Sequence, residues 1–281
     1  MNKQRCGYVS LIGFPNAGKS TLVNSLVNKK VSIISSKVQT TQDEIMGILN
    51  LEKTQIIFCD TPGLTIKKNI STKQAARSVF RNLNKICYNL LIMDVNTRLS
   101  VKDIDFLNKI LKNYKKNILV INKIDLVDNS KLLISSKTLN QAFNFEETFM
   151  ISAKKKKGIH DLANRLKNLM PVNGWEFKEN EYTNKGDNFI ISEITREKIF
   201  QLLNKELPYT IKISTVIKKS EKIINIFQKI ITEKDSQKAI FIGKKGEKIK
   251  KIGMRSRKDM EIFFKKKVFL DISVVVKKKY K

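Results

Sequence analysis

Residues Gly13 to Ser20 read Gly-Phe-Pro-Asn-Ala-Gly-Lys-Ser, a glycine-rich bend that ends in a lysine and a hydroxyl. An apolar run precedes it and a helix-like run follows. In that context the backbone N–H groups of the bend and of the helix N-terminus converge on a polyphosphate. Gly13, Asn16, Ala17, Gly18 and Thr21 shape the cradle, Lys19 reaches the outer phosphates, and the Ser20 hydroxyl is a Mg²⁺ ligand. A glycine turn of merely structural value needs neither the lysine nor the hydroxyl.

Three further stretches each close an apolar run. In Asp60-Thr-Pro-Gly63 the carboxylate is placed to hold Mg²⁺ through water, and the Gly63 N–H to meet a terminal phosphate. In Asn122-Lys123-Ile124-Asp125 the carboxylate can accept two hydrogen bonds from the N1–H and exocyclic amine of guanine. Adenine presents no such donor pair, so Asp125 selects GTP over ATP. In Ile151-Ser152-Ala153-Lys154 the serine and the Ala153 N–H approach the base from its other side. Each stretch alone is an ordinary turn; four in this order, each at the end of an apolar run, define a guanine-nucleotide site.

Such a site needs a rigid frame. Short β-branched runs at 7–13, 45–50, 55–59, 88–94, 117–122 and 147–151 alternate with helix-like segments at 18–29, 101–113, 131–141 and 158–169. That alternation predicts an α/β domain with a mostly parallel sheet over residues 1–170. Pro171, Gly174 and Gly186 among polar residues mark 171–188 as a linker. From 189 to 281 the order changes to an amphipathic segment from Ser192, β-rich runs at 209–218 and 222–232, a glycine bend, a basic helix to about 264 and a last strand, a small α+β domain.

The 281 residues carry 55 Lys and Arg against 26 Asp and Glu, a formal net charge of +29, which favours a polyanionic partner. Part of this excess follows from a chain rich in Lys, Ile and Asn throughout. It nonetheless concentrates: residues 241–281 hold 15 basic residues and 4 acids. Cys6, Cys59 and Cys87 have no metal-ligand or paired spacing and His160 is the single histidine, which excludes a protein-ligated zinc site. No run reaches the roughly 18 apolar residues of a membrane span, and a soluble, cytoplasmic protein is expected.

In the basic region, Gly243-Lys244-Lys245-Gly246 stands in front of the basic helix. Two glycines let a nucleic-acid backbone approach, and the lysines meet its phosphates. Lys248, Lys250, Lys251 and Arg257 follow on the helix, while Ile240, Ile242, Ile249 and Ile252 anchor the loop. A helix-loop-helix flanked by strands is the order of a KH domain, whose groove grips about four single-stranded nucleotides.

With the four nucleotide stretches in order, the chain resembles the translation-factor-related GTPases. The resemblance implies a second signature, a threonine, supplied by Thr40 or Thr41, with Thr41 preferred as a Mg²⁺ ligand beside Ser20 and Asp60. Many relatives carry a water-orienting glutamine after the glycine of the third signature; here that residue is Leu64, so intrinsic hydrolysis of GTP to GDP and phosphate is expected to be slow. GTPases of this kind with an asparagine at the place of Asn16 commonly use K⁺ against the phosphates, doing the work of an arginine finger. An asparagine also suits a left-handed turn there. Asn16, Lys19, Thr41 and Gly63 are thus the candidate catalytic group.

"QTTQDEIMGI", "SEITREKI", "ELPY" at 206–209, "IGKKGEKIKKIG" at 242–253 and "RKDM" at 257–260 narrow the resemblance to the Era GTPases over nearly the whole chain. Relatives usually carry a basic residue after the paired threonines, where this chain has Gln42, Asp43 and Glu44. The resemblance implies a P-loop GTPase domain followed by a type II KH domain, a monomer using GTP/GDP, Mg²⁺ and K⁺. It implies single-stranded rRNA at the 3′ end of the small-subunit rRNA as ligand, assembly of the small ribosomal subunit as the process, and peripheral association with the cytoplasmic face of the inner membrane. The rival readings are an RNA-binding scaffold indifferent to nucleotide and a GTPase acting at an anionic membrane surface.

Overall fold

β-Branched residues crowd the first half into strands buried on both faces, and a computed structural model gives their arrangement. It describes residues 3–31, 45–60, 85–114, 116–203 and 211–277, with the backbone alone at Asp60. Thr41, Gly63, Leu64 and the 206–209 stretch lie outside the described residues. The described residues fall into two compact units that part between Asn184 and Lys185.

The first unit contains β1 (Arg5–Ile12), α1 (Lys19–Val27), β2 (Ile45–Leu51), β3 (Thr54–Asp60), β4 (Ile86–Asp94), α2 (Val101–Leu111), β5 (Asn117–Asn122), α3 (Asn129–Ala142), β6 (Glu147–Met150) and α4 (Ile159–Leu169). The six strands form one sheet in the order β2-β3-β1-β4-β5-β6. β2 runs antiparallel to β3 and every other pair is parallel. Ile118, Leu119, Val120 and Ile121 of β5 are all fully buried, as a strand covered by helices on both faces must be. One face packs Leu91, Met93, Leu119 and Ile121 against Leu107, Leu111 and Leu139 of α2 and α3. On the other, α1 and α4 lie against each other and against β3.

Helix α2 starts where its sequence can satisfy the free N–H groups. Ser100 Oγ accepts from the Asp103 N–H while the Asp103 carboxylate accepts from the Ser100 N–H, a reciprocal cap. The Ser100 hydroxyl also donates to that carboxylate at 2.7 Å and, with the Ser100 N–H, holds it below its usual range.

The stretch expected as a linker is hydrogen-bonded to the first unit along 171–184. The Cys6 N–H donates to Pro171 O (3.1 Å) and the Ile48 N–H to Tyr182 O (2.9 Å). The buried Gln55 side chain binds three backbone groups there, accepting from the Glu176 and Phe177 N–H groups and donating to Phe177 O, each at 3.0 Å. Its Pro- and Gly-rich composition reports the lack of a regular element and carries no information about contacts.

The second unit contains α5 (Asp187–Leu202), β7 (Lys212–Lys219), β8 (Ile223–Thr232), α6 (Asp235–Ile242), α7 (Glu247–Phe264) and β9 (Lys267–Val276). Its sheet has the order β7-β8-β9, with β7 antiparallel and β9 parallel to β8. The helices cover one face: Ile190, Ile191 and Ile194 of α5 meet Ile224, Ile226 and Met260. Ile199 and Phe200 meet Ile230, Phe241 and Ile252.

Helix α5 departs from the expected amphipathic segment. It begins at Asp187, ahead of Ser192, and Ser192, Glu193, Thr195 and Glu197 are buried along with its isoleucines. These polar groups are tolerated because most have partners. Ser192 and Thr215 share a hydrogen bond (2.6 Å), Thr195 donates to Gln228 Oε1 (2.6 Å), and Gln228 Nε2 donates to Thr215 Oγ1 (3.0 Å). Lys198 pairs with Asp259 of α7 at 2.6 Å. The "SEITREK" and "RKDM" stretches thereby join through Lys198 and Asp259, fastening α5 to the helix behind the glycine bend. Among the described residues no helix is long and apolar enough to cross a membrane.

Candidate functional site

The crevice that receives a ligand in an open parallel sheet lies at the C-terminal ends of the strands where the order reverses, here between β1 and β4. The bend after β1 sits there. Lys19 opens α1, is nearly buried, and its Nζ donates to the carbonyls of Gly13 (2.7 Å) and Phe14 (3.2 Å). Phosphate oxygens are charged acceptors and stronger partners for an ammonium than these carbonyls. Ser20 and Thr21 follow in the first turn of α1. Asn16 is exposed and takes φ +65°, the left-handed conformation that an asparagine tolerates.

Asn122, at the end of β5, ties the three loops together. Its Nδ2 donates to Ala17 O of the phosphate bend at 2.9 Å. Its Oδ1 accepts from the Lys123 N–H (2.8 Å) and from the Ala153 N–H of the loop after β6 (3.0 Å). Gly18 has φ +98°, and a Cβ there would stand 2.2 Å from Asn122 Nδ2, so the bridge requires glycine at 18.

Asp125 lies in the single 3₁₀ turn after β5 and is exposed. Ser152, fully buried, donates its hydroxyl to Asp125 Oδ1 at 2.5 Å and accepts from the Lys155 N–H at 3.1 Å. That hydrogen bond, with lesser help from the Asp125 backbone and from Lys155 and Lys154, holds the carboxyl below its usual range. A fixed, ionised carboxylate presenting two acceptor oxygens suits the donor edge of guanine.

Of the residues predicted for this site, Gly13, Ala17, Gly18, Lys19, Asn122, Lys123, Asp125, Ser152 and Ala153 come together along one end of the sheet. Lys154 is exposed beside them. The metal ligands are described only at Ser20, since Thr41 and the Asp60 side chain lie outside the described residues; among those described, no group of three or more His, Cys, Asp or Glu gathers in metal-binding proximity. The donor set of one hydroxyl in the first turn, a threonine and a carboxylate fits a hard cation that keeps several waters. Two contributors were not anticipated. Asp94 Oδ2, at the end of β4, pairs with Lys123 Nζ at 2.7 Å, and Ser25 of α1 donates to Ala153 O at 2.7 Å. Asp94 was readable in the same way as Asp60, as a polar residue closing an apolar strand.

A second site lies in the other unit. Gly243 has φ +71° and a Cβ there would come within 2.6 Å of Lys248 Cγ, while Gly246 has φ +78° and open space where its Cβ would be. Glycine at 243 lets the Lys248 side chain lie against the bend, and at Gly246 the bend offers open backbone beside the exposed Lys244 and Lys245 to a phosphate chain. Behind it, α7 and β9 enclose a cavity of about 340 Å³. Ile249, Gly253 and Met254 form its helical wall with Lys250 and Arg257, and Leu270, Asp271 and Ile272 the strand wall. Of the predicted nucleic-acid residues, Lys250 and Arg257 line this groove, Lys248 lies over Gly243, and Lys251 is exposed outside it. The apolar wall, which suits an unstacked base, escaped prediction because Leu270 and Ile272 read simply as strand residues.

Comparisons with known proteins match both units. Residues 8–123 match the family described as 50S ribosome-binding GTPase, and residues 206–280 match the KH domain. The chain is 35% identical to GTPase Era of Staphylococcus epidermidis over 284 residues, covering 100% of this chain and 95% of the relative. It is 37% identical to GTPase Era of Coxiella burnetii over 285 residues, covering 99% and 94%. A crystal structure of Era with MgGDPNP and nucleotides 1506–1542 of 16S ribosomal RNA superposes with a TM-score of 0.82 at 31% identity, over 98% of this chain and 95% of that one. An Aquifex aeolicus Era variant bound to GDP and AlF4⁻ gives the same TM-score and identity. With a glycine bend opening a helix, a fixed carboxylate beside it and a KH domain in one chain, and such relatives along its whole length, the chain belongs to the Era family of GTPases.

Proposed function

We propose that the chain is a GTP-hydrolysing, RNA-binding switch that binds the 3′ end of the small-subunit rRNA and assists assembly of the small ribosomal subunit. The observation that carries the nucleotide half is the Ser152–Asp125 hydrogen bond with the Asn122 bridge, which fixes a guanine-reading carboxylate against the phosphate bend. In this reading Lys19, the backbone of 13–18 and Ser20 bind the phosphates and Mg²⁺, with Thr41 and Asp60 completing the metal shell. Mg²⁺ neutralises charge developing on the transferred phosphoryl group. Gly63 meets the terminal phosphate, Asn16 holds K⁺, and Leu64 leaves the attacking water without a side-chain partner.

The RNA half is supported by the glycine bend at 243–246 with its open Gly246 and exposed lysines, the groove between α7 and β9, and the rRNA named in the complex of the solved relative. We assign the chain up to Asn184, with the 171–184 stretch expected as a linker, to the nucleotide domain, and Lys185 onward to the KH domain. GTP binding orders Thr41 and Gly63 and changes the RNA affinity of the KH domain. The monomer works in the cytoplasm, with a peripheral fraction on the inner membrane held by its basic charge.

Crosslinking with sequencing of the bound RNA, with GTP and with GDP, tests the whole. Enrichment of the small-subunit 3′ end, altered by nucleotide, is expected. Gly243→Asp with Gly246→Asp abolishes that enrichment while GTP hydrolysis persists. Equal RNA yields in the two nucleotides favour the scaffold reading, and lipid association surviving with no RNA recovered favours the membrane reading.

A further inference from the structure

Strand alternation in the second unit turns Ile224, Ile226, Gln228 and Ile230 inward and sends Ile223, Asn225, Phe227 and Lys229 to the opposite face. On that outer face two aromatic rings are open to solvent: Phe227 is 37% exposed and Phe269, on β9, 51%. They meet edge to face with centroids 6.3 Å apart. Val216, paired with Phe227 across β7, is 52% exposed and extends the apolar patch. Lysines surround it. Lys218 Nζ stands 5.8 Å from the Phe227 centroid, and the exposed Lys229 and Lys267 share the outer face. Asp271 is the one acid in the three strands.

Aromatic rings interleaved with lysines on a sheet face form a stacking platform with phosphate partners, the chemistry by which single strands are held without base-edge readout. A protein surface of balanced charge suits the rings but leaves the surrounding lysines without complementary charge. The position of the patch favours RNA further. β9 is the edge strand on the groove side, and its residues alternate between two surfaces: Leu270 and Ile272 line the groove, while Phe269 stands on the outer face between Lys267 and Asp271. Asp271 stands at the lip common to both. A strand of RNA leaving the groove over this edge meets the two rings next.

We infer that the outer face of the β7-β8-β9 sheet is a second RNA surface, on which bases that have passed the β9 edge stack on Phe269 and Phe227 while Lys218, Lys229 and Lys267 meet their phosphates. This inference rests on the RNA reading proposed above and extends the bound length beyond the four or so nucleotides that a KH groove holds.

The test measures fluorescence anisotropy at one fixed salt concentration, since charge contacts make affinity salt-dependent. The probes are nucleotides 1506–1542 of 16S rRNA and a six-nucleotide piece of its 3′ end. Phe227→Ala with Phe269→Ala should weaken the long probe about tenfold or more per ring and leave the hexamer unchanged. Phe227→Tyr with Phe269→Tyr retains the rings and should retain affinity. Unchanged circular dichroism and urea midpoints confirm that the alanine variant folds, as half-open rings allow. Long-probe affinity of that variant within twofold of the unsubstituted chain overturns the inference, and altered self-association in its place assigns the patch to a protein partner. Failure of the unsubstituted chain to bind the hexamer refutes the groove reading, yet the ring comparison on the long probe still decides this one.

Discussion

Replacing the Asn122 amide nitrogen by oxygen, Asn122→Asp, changes one heavy atom and inverts one hydrogen bond. Nδ2 now donates to Ala17 O at 2.9 Å; an ionised carboxylate would set two acceptors face to face there, at a residue 2% exposed. The other oxygen keeps the Lys123 and Ala153 N–H donors, which offset part of the cost of burying charge. Losing the bond and leaving its acceptor unsatisfied costs about 3 kcal/mol. If the loops part to relieve the repulsion, the binding-competent arrangement becomes the minor one and the apparent Kd for GTP rises about a hundredfold. If they hold, the same amount is lost from unfolding stability. The repulsion also raises the carboxyl pKa, because the protonated form can donate to Ala17 O. Such a group leaves stability intact below its unfolded value of about 3.9 and removes it as pH rises from there to the raised folded value, so the defect should be small at pH 4 and full at pH 8. Nucleotide titration and urea unfolding at both pH values measure it. An Asn122→Asp protein matching the unsubstituted chain in both at pH 8 refutes the role of Asn122 as the bridge between the three loops.

Three further outcomes are expected. Ser152 accepts from the Lys155 N–H and must donate to residue 125, so in Asp125→Asn the amide oxygen faces Ser152 and its NH₂ faces the base; GTP affinity falls roughly a hundredfold or more and xanthosine triphosphate, with a carbonyl in place of the amine, becomes the better ligand by competition assay. Burial pushes the Glu193 carboxyl up to about 7 despite its pairing with Arg196, so stability is lost as pH rises from the ordinary carboxylate value of 4.5 toward 7. Glu193→Gln should remove that slope and add about 3 kcal/mol at pH 8 and little at pH 4, read from urea midpoints. GTP hydrolysis should run faster in K⁺ than in Na⁺ at matched Mg²⁺ and ionic strength, and Asn16→Gly, which keeps the left-handed turn but removes the side chain, should abolish the difference; persistence of the K⁺ effect reduces Asn16 to a turn former.

Much of the nucleotide unit is legible because its signals are local. β5, expected at 117–122, spans Asn117–Asn122, and the other strands differ by one or two residues at their ends. The four motifs fall at strand ends because a parallel sheet delivers its loops to one edge. The second unit was harder to read. α5 is buried on most of its circumference, so its hydrophobic pattern gave neither its start at Asp187 nor the hidden hydrogen bonds of Ser192, Thr195 and Gln228. Polar residues signal solvent in a one-dimensional pattern and signal pairing only when their partners are known, and Gln228 and Asp259 lie 33 and 61 positions from theirs.

By itself the sequence determined which groups are at hand: a lysine and hydroxyl after a glycine bend, a carboxylate with the two acceptors that guanine needs, and a basic bend before a basic helix. Each depends on residues adjacent in the chain, where residue type and spacing suffice. Tertiary structure alone decided what holds these groups in place. Asn122 reaches 105 positions back to Ala17 and 31 forward to Ala153, and Ser152 orients an aspartate 27 positions away. It also decided that Phe227 and Phe269 share one face beside the groove. Such contacts cross strand connections, and their partners are chosen by strand order and register, which no short stretch encodes.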